Sequence, residues 1–295
     1  MLVHGNVIGI RPARVLLLGS GGFLAPVITQ TLESAEIPVR AIGSSEIDLS
    51  REDAAQRLAS QMRSGDAVVM AAALTPDKGR DIATLMRNLR MGENVCSALN
   101  QVQPSHFVYI SSDAVYDGRL ALVSEDSACE TGDLYALAHT VREKMLVHTC
   151  QNLGIPLAII RPSAIYGAGD THNSYGPNRF IRTALKDGRI ILFGGGEEQR
   201  DHVFVQDVAE LIKLCLLHRS TGILNAVSGG ALAFREVADR IALLSGRTVT
   251  IECKPRATPV THRHYDITAL IRAFPERRTT PLDEGLTTTI NGMRQ

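Results

Sequence analysis

A cluster of glycines near the start of the chain is the first feature whose spacing suggests chemistry. Gly19, Gly21 and Gly22 follow the apolar run Val15–Leu18 and precede a stretch with apolar residues at helical spacing. One glycine permits a tight turn, another lets the backbone approach a pyrophosphate, and a small third residue lets helix pack on strand. Amides at the start of that helix can bind phosphates. The alternative interpretation of the glycines is a tight turn between strand and helix that binds no ligand. The residues predicted to bind a dinucleotide here are Gly19, Ser20, Gly21, Gly22, Phe23 and Leu24.

The end of the second predicted strand bears on which dinucleotide is bound. NAD sites usually place an acidic residue there for the ribose 2′-hydroxyl. This chain instead has Ser44 and Ser45, with Glu46 slightly later, and Arg40 and Arg51 are the nearest arginines. A missing acid removes repulsion against a 2′-phosphate, so the cofactor is expected to be NADP or NAD, with NADP favoured. Ser44 is assigned to this part of the cofactor site.

The composition describes an ordinary globular protein. Hydrophobic residues make up 44% of the 295 and charged residues 21%. Lys plus Arg and Asp plus Glu both number 31, which argues against a nucleic-acid partner. The five cysteines form no CxxC pair, and no apolar run reaches the roughly 20 residues needed to span a bilayer. We therefore expect a cytoplasmic protein with reduced thiols and no membrane partner.

Apolar runs alternate with amphipathic stretches through the first half of the chain. The predicted strands are Val15–Leu18, Val39–Ile42, Ala67–Ala71, Phe107–Ile110 and Leu157–Ile160. The predicted helices begin at Leu24, Ala54, Ile82 and Tyr135, and two more follow at Val205 and Phe234. This alternation predicts an α/β fold, a Rossmann-type doubly wound parallel sheet followed by a smaller C-terminal α/β substrate lobe.

The pattern loosens after about Ile165, where segments rich in Gly, Pro and Asn interrupt shorter elements. We predict a dinucleotide-binding domain over 1–165 and a substrate lobe over 166–295. The two are expected to be interleaved, with part of 200–230 returning to the first domain.

Several motifs, in order along the chain, carry a resemblance to a known family. They are the glycine motif at 19–25, Ala71-Ala72-Ala73, SSDAVY at 111–116, Tyr135, RPSAIYG at 161–167, PNRF at 177–180 and FGGGEEQRDHVFVQDVAE at 193–210. Together they resemble the extended short-chain dehydrogenase/reductase family, from Val15 to about Leu286. Its members are mostly epimerases, dehydratases and reductases of nucleotide sugars. The resemblance therefore implies an NAD(P)-dependent enzyme.

The resemblance also implies catalytic roles. Ser112 matches the family's hydroxyl that hydrogen-bonds the reacting oxygen, and Tyr135 matches its acid/base. A phenol with a reference pKa near 10 must be shifted toward neutrality to act as a base. The family achieves this with a lysine four residues later, which also holds the nicotinamide ribose.

Position 139 departs from that pattern, because this chain has His139 where the family has lysine. A histidine can donate a hydrogen bond to the ribose, but with a reference pKa near 6.5 it is largely neutral at pH 7. Three outcomes stay open: catalysis with an altered pH profile, substitution by another cation, or cofactor binding without catalysis.

Further site residues follow from the resemblance. Asp48 and Leu49 match the pair that contacts adenine. The remaining residues assigned to the cofactor are Ala71, Ala72, Ala73, Pro162, Ala164 and Ile165, and those assigned to the substrate are Thr75, Asp113, Asn178 and Arg200. Arg200 matches an arginine that clamps the substrate diphosphate. No metal site is expected, since the HxH of His262 and His264 provides too few ligands.

The leading hypothesis is an NAD(P)-dependent epimerase or reductase of a nucleotide-activated sugar, forming a homodimer as the family commonly does. A second hypothesis is a catalytically impaired cofactor-binding regulatory or scaffold protein of the same fold. A third is a dehydrogenase of a non-sugar alcohol or ketone. Dehydration is disfavoured, because Asp113-Ala114 replaces the Asp-Glu pair of the family's dehydratases.

Overall fold

The computed structural model describes residues 2–294. The strands in that range are β1 (Val3–His4), β2 (Val15–Leu18), β3 (Val39–Ile42), β4 (Ala67–Met70), β5 (His106–Ile110), β6 (Leu122–Val123), β7 (Leu157–Pro162), β8 (Ala164–Tyr166), β9 (Arg189–Phe193), β10 (Gln199–Phe204), β11 (Ser220–Ala226), β12 (Ala231–Ala233), β13 (Thr250–Lys254) and β14 (His264–Tyr265). The helices are α1 (Leu24–Ser34), α2 (Ala54–Gln61), α3 (Ile82–Gln101), α4 (Leu134–Leu153), α5 (Pro177–Asp187), α6 (Val205–Leu217), α7 (Phe234–Leu244), α8 (Thr268–Ala273) and α9 (Leu282–Arg294), with a 3₁₀ turn at Asp113–Val115.

The chain divides into two compact units. The first comprises the residues up to Gly118, Glu125–Pro162 and Ala209–Asn225, and the second comprises Arg119–Ser124, Ser163–Val208 and the residues from Ala226 onward. The segment 119–124 belongs to the second unit because β6 pairs in parallel with β14, whereas the sequence pattern assigned it to the first. The segment 209–225 lies in the first unit.

The first unit is built on a seven-stranded sheet with the order β1-β11-β7-β5-β4-β2-β3. Neighbouring strands from β3 across to β7 pair in parallel, and β1 pairs antiparallel with β11. Every residue of β2 and β4 is buried, as expected for strands covered on both faces. The predicted Rossmann-type fold is confirmed.

Strand order reverses at β2, because β3 lies on one side of it and β4 on the other. Ligands of open α/β sheets bind beyond the carboxyl ends of the strands at such a reversal. The glycine cluster follows β2 directly, so the fold places it at this position.

The second unit has three small sheets with the strand orders β12-β10-β8, β13-β9 and β14-β6. Its core is formed by apolar side chains of α5, α7 and α9 with β9, including Phe180, Ile190, Phe234 and Ile290. No helix within residues 2–294 is long and apolar enough to cross a membrane.

Candidate active site

The glycine loop is shaped by a close approach between two strand ends. Gly19 has φ +106°, and a Cβ there would lie 2.8 Å from the Ala72 nitrogen. The amides of Gly19 and Ser20 donate to the Ile42 carbonyl at 2.8 and 3.1 Å. A Cβ on Gly21 would meet no atom within 4 Å, so the loop leaves open space beside its backbone. Only glycine fits at position 19, and the space at Gly21 suits a phosphate.

Helix α1 begins immediately after this loop. Phe23 precedes it, Leu24 is its first residue, and no side chain of the described residues caps its N-terminus. The first amides of a helix have no partner within the helix and carry a partial positive charge. The loop and the helix start therefore form a cradle that fits the diphosphate of a dinucleotide.

The segment after β4 forms a second wall near the glycine loop. Ala71, Ala72 and Ala73 are half-buried, and Asn88 on α3 holds the next residue through the Leu74 amide at 2.9 Å and its carbonyl at 3.0 Å. The Thr75 hydroxyl donates to Asp77 at 2.6 Å. The small side chains leave room for a ligand, and the buried Asn88 amide fixes the course of the segment.

The segment after β3 carries the residues assigned to the adenosine. Asp48 accepts hydrogen bonds from the Ser50 amide and hydroxyl at 3.0 and 2.7 Å, which lower its pKa. Leu49 is buried in the core and Ser44 is exposed. The Arg40 guanidinium, half-exposed, forms an ion pair with Glu46.

Tyr135 and Ser112 are each positioned by a cap. Asp133 caps α4 by accepting from the Tyr135 and Ala136 amides at 2.9 and 3.1 Å. Ser112, two residues after β5, accepts from the Ala114 amide at 3.2 Å and caps the 3₁₀ turn. Burial raises the pKa of the Tyr135 phenol to about 12, while a hydrogen bond from Ser112 acts in the opposite direction. The two hydroxyls predicted to act together are thus within hydrogen-bonding reach.

His139 lies one helical turn after Tyr135 and is 2% exposed. The two rings pack edge to face with centroids 4.7 Å apart. Burial, with a smaller contribution from the Arg142 charge, lowers the pKa of His139 to about 3. The imidazole is therefore neutral at pH 7. Its Nε2 is buried without a hydrogen-bond partner among the described residues, which fits a ligand hydroxyl there.

A buried polar cluster that the sequence did not single out ties α4 to the sheet. Glu143 accepts two hydrogen bonds from Arg161 at 2.9 and 2.6 Å and one from the Ser111 hydroxyl at 2.5 Å. Arg161 lies on β7 and Ser111 follows β5. This cluster holds the helix that carries Tyr135 against the strand ends. Ser111 and Arg161 lie within the motifs SSDAVY and RPSAIYG, but no pattern in the sequence indicated that Glu143 pairs with them.

The remaining predicted site residues lie in or next to the second unit. Pro162 ends β7 and is buried, whereas Ala164 and Ile165 lie on β8, exposed and half-buried respectively. Asn178 is buried at the start of α5, where its Oδ1 accepts from the Gly167 amide at 3.0 Å. Its side chain thus holds the loop after β8.

Arg200 on β10 is held by neighbours of the second unit. It forms an ion pair with Glu198 and donates to the Thr261 carbonyl and hydroxyl at 2.6 and 2.8 Å. Glu198 also pairs with Arg256 at 2.6 Å. The guanidinium is orientated by these contacts and remains partly exposed. Within residues 2–294 no group of three or more His, Cys, Asp or Glu side chains could hold a metal ion.

The fold and the glycine cradle define a Rossmann-type dinucleotide-binding protein. Consistent with this, residues 15–226 match the model of the NAD dependent epimerase/dehydratase family. The chain belongs to that family of enzymes, as the resemblance predicted.

Individual relatives support the same placement. The chain is 25% identical over 268 residues to a GDP-L-fucose synthase of Sinorhizobium fredii, covering 83% of this chain and 85% of that protein. Its fold is similar to that of the UDP-glucose 4-epimerase of Thermus thermophilus in complex with NAD, with a TM-score of 0.83 and 21% identity. The match covers 95% of this chain and 99% of the epimerase chain. The fold is also similar to that of a GDP-L-fucose synthetase from Naegleria fowleri bound to NADP, with a TM-score of 0.85 and 16% identity. That match covers 98% of this chain and 96% of the synthetase chain.

Proposed function

We propose that this protein catalyses NAD(P)-dependent hydride transfer on a nucleotide-activated sugar, as an epimerase or a reductase. The observation that carries the proposal is that Ser112, just after β5, lies within hydrogen-bonding reach of Tyr135 at the start of α4, in the unit whose sheet also carries the glycine cradle. Membership of the family and the similarity to a GDP-L-fucose synthase support the substrate class.

In this proposal Tyr135 carries the proton at its phenol oxygen and exchanges it with the sugar oxygen. The Ser112 hydroxyl donates a hydrogen bond to the same sugar oxygen and orients it. The cofactor, when bound, supplies or accepts the hydride. Because burial raises the Tyr135 pKa to about 12, the phenol is protonated at pH 7 and ready to protonate a carbonyl oxygen. This state favours the reductive direction.

The residues proposed to hold the cofactor are those of the glycine cradle together with Ser44, Asp48, Leu49, Ala71, Ala72, Ala73, Pro162, Ala164, Ile165 and His139. NADP is favoured because Arg40, on the strand that leads to the serines, could exchange its Glu46 partner for a 2′-phosphate. An exposed pair of this kind is held weakly, so the exchange costs little.

For the substrate we propose contacts from Thr75, Asp113, Asn178 and Arg200. Arg200 is the strongest of these, since a guanidinium binds diphosphate oxygens through two parallel hydrogen bonds. We also propose a homodimer. The exposed apolar side chains Ile82 and Met86 on α3 and Leu137 on α4 support it.

The direct test measures cofactor binding and hydride transfer with a panel of UDP-, GDP- and dTDP-linked hexoses and 4-keto sugars. Tyr135→Phe is expected to lower turnover about 10²- to 10⁴-fold while cofactor affinity stays within about threefold. Tyr265→Phe, which removes a phenol hydroxyl from the second unit, is the matched control.

Two other outcomes of this test would each favour one of the alternative functions. Tight cofactor binding without turnover on any sugar would favour a regulatory or scaffold protein, whose support is the neutral His139. Turnover of simple ketones without affinity for nucleoside diphosphates would favour a dehydrogenase of non-sugar substrates.

A further inference from the structure

Among residues 2–294, Arg142 is a buried cation without a carboxylate partner. Its side chain is 0% exposed, and within residues 2–294 its nitrogens contact only uncharged groups. Nη2 donates to the Ala72 carbonyl at 2.7 Å and lies 3.5 Å from the Met70 sulfur, and Nη1 lies 3.5 Å from Asn88 Oδ1. Nε has no hydrogen-bond partner among the described residues. Burying an uncompensated charge is costly, so its presence calls for a reason.

The neighbouring helix leaves space for this side chain. Gly92 lies inside α3, and a Cβ there would come 3.0 Å from Cγ of Arg142. A glycine in the middle of a helix lowers helix stability. Here it provides the volume that the arginine occupies, so α3 is shaped around Arg142.

Arg142 also contacts the group that holds His139. Its guanidinium carbon lies 5.1 Å from the centroid of the Tyr109 ring, and the Tyr109 hydroxyl lies 2.7 Å from His139 Nδ1. Tyr135 is seven residues before Arg142 on the same helix, about 10 Å along the axis at 1.5 Å per residue. These contacts join four side chains into one connected group, which consists of Arg142, Tyr109, His139 and Tyr135.

The Arg142 charge acts on two titratable side chains that precede it on α4, His139 and Tyr135. Burial, with a smaller contribution from Arg142, lowers the pKa of His139 and keeps the imidazole neutral. Burial raises the pKa of Tyr135, and the Arg142 charge opposes that rise. The carboxylates of Asp113 and Asp133 raise the pKa of Tyr135. Because the guanidinium is buried and no carboxylate of the described residues pairs with it, its field is screened less than that of a surface charge.

The contact between Tyr109 and His139 selects one tautomer of the imidazole. Tyr109 is fully buried, and burial raises its pKa, so its phenol keeps its proton. If Nδ1 carried the histidine proton, the phenol proton and the Nε2 lone pair would both be unpaired. If Nε2 carries it, the phenol donates to Nδ1 and only the Nε2–H is left without a partner. The second arrangement leaves fewer unsatisfied groups and makes Nε2 a donor.

We propose that Arg142 and Tyr109 are positioning residues of the Tyr135 site. Arg142 supplies the fixed positive charge that favours the Tyr135 phenolate, and Tyr109 holds His139 as an Nε2–H donor for a cofactor hydroxyl. Arg142 thus provides the positive charge and His139 donates the hydrogen bond, two tasks that one lysine performs in the pattern that the sequence resembles. This inference rests on the proposed hydride transfer for its kinetic consequence, but its structural part is testable without turnover.

The first experiment determines the His139 tautomer by ¹⁵N NMR of the imidazole in the cofactor-free protein. The expected spectrum has a protonated Nε2 and an unprotonated Nδ1 throughout pH 6–9. Tyr109→Phe removes the donor and should produce a mixture of tautomers. Tyr116→Phe, which removes another buried phenol hydroxyl of the first unit, is the control. An Nδ1–H tautomer in the unmodified protein, or an unchanged spectrum in Tyr109→Phe, overturns the role of Tyr109.

The second experiment compares the affinities for oxidised and reduced cofactor, since only the oxidised nicotinamide ring is positively charged. A fixed cation disfavours the oxidised form. In Arg142→Gln the ratio of the oxidised to the reduced Kd is expected to fall about three- to tenfold. Arg142→Lys should keep the ratio near that of the unmodified protein. Arg90→Gln removes an exposed arginine of α3 and is the control.

The kinetic readout is the rate of alcohol oxidation at a fixed pH. Arg142→Gln is expected to lower it about tenfold by reducing the phenolate fraction, and Arg142→Lys should restore most of it. Circular dichroism confirms folding of each variant, and the tautomer measurement decides the Tyr109 assignment if Arg142→Gln does not fold. An unchanged Kd ratio and rate in folded Arg142→Gln overturn the role of Arg142. Absence of turnover in the unmodified protein contradicts the proposed function alone, because the tautomer and the Kd ratio are still measured.

Discussion

The hydroxyl of Tyr109 lies 2.7 Å from Nδ1 of His139 in the interior of the first unit. Tyr109 comes from β5 and His139 from α4. The contact fixes the ring of a histidine whose other nitrogen has no partner among the described residues. A neutral, orientated donor therefore stands one helical turn from Tyr135.

Alcohol oxidation is expected to be strongly pH-dependent. Oxidation requires the Tyr135 phenolate, and burial raises the pKa of this phenol to about 12. The phenolate fraction, and with it kcat/KM for oxidation, should therefore rise about tenfold per pH unit between pH 7 and 9. Reduction needs the protonated phenol and should change less than threefold over this range. An oxidation profile that levels off below pH 8 would contradict this assignment.

His139→Lys is expected to destabilise the protein without raising turnover more than about threefold. The ammonium would lie one turn from the buried Arg142 charge, and two unpaired cations in the interior repel each other. We expect the free energy of unfolding to fall by about 2–4 kcal/mol, measured by urea denaturation at pH 7. The double variant His139→Lys/Arg142→Gln, with one cation, should recover most of this loss.

A large increase in turnover in the single variant His139→Lys would show that the site lacks a charge, which would contradict the role given to Arg142. His139→Gln keeps position 139 neutral and is the control for stability. It should lower the free energy of unfolding less than His139→Lys does.

Stability is expected to fall as the pH falls from about 6.5 toward 4. Burial lowers the pKa of His106 and His202 to about 4 and that of His139 to about 3. Below pH 6.5 the unfolded chain binds protons that the native state does not, so stability is lost on acidification and is fully present above 6.5. Each histidine contributes a slope of up to about 1.4 kcal/mol per pH unit.

His202→Phe tests this directly. Both ring nitrogens of His202 are buried without partners among the described residues, and the ring packs 5.7 Å from that of Phe234. Phenylalanine should raise the free energy of unfolding at pH 7 by about 1–2 kcal/mol and reduce the slope between pH 6 and 5. A steeper slope in the variant would refute the assignment.

Cofactor preference is expected to depend on the pair between Arg40 and Glu46. Glu46→Gln frees the guanidinium and should tighten NADPH binding about threefold or more at low salt, with little effect on NADH, since a free arginine binds a phosphate more readily. Arg40→Gln should have the opposite effect on NADPH. Asp53→Asn, which alters an exposed pair with Arg57, is the control. Equal changes for both cofactors would place the 2′-phosphate elsewhere.

Affinity for nucleoside diphosphates is expected to depend on Arg200. Arg200→Gln should weaken UDP or GDP binding about tenfold in calorimetry, as expected for the loss of charge-assisted hydrogen bonds. Arg235→Gln removes an exposed guanidinium of the same unit that pairs with Asp239 and should leave the Kd unchanged. If Arg200→Gln binds as well as the unmodified protein, Arg200 only supports the segment around Thr261.

Several elements were predictable because their pattern is local. The strand Val39–Ile42 was predicted with its observed bounds, and the helix predicted from Ala54 ends at Gln61. The strands β1, β6 and β8 to β14 and the helices α5, α8 and α9 were not predicted. Strand pairs such as β6 with β14 join segments about 140 residues apart, and no local pattern encodes that partner.

The sequence by itself determined the glycine cradle, the position of Tyr135 at the start of a helix, and the replacement at position 139. Only the tertiary structure decided what that replacement means. Arg142 looks like an ordinary charged residue of a helix, yet packing between α3, α4 and the sheet removes it from water with no counter-ion in the part of the chain that the structure describes. Whether a charge is solvated, paired or left unneutralised depends on which distant segments surround it. The chemistry of the Tyr135 site is therefore decided by how α3, α4 and the sheet pack around Arg142.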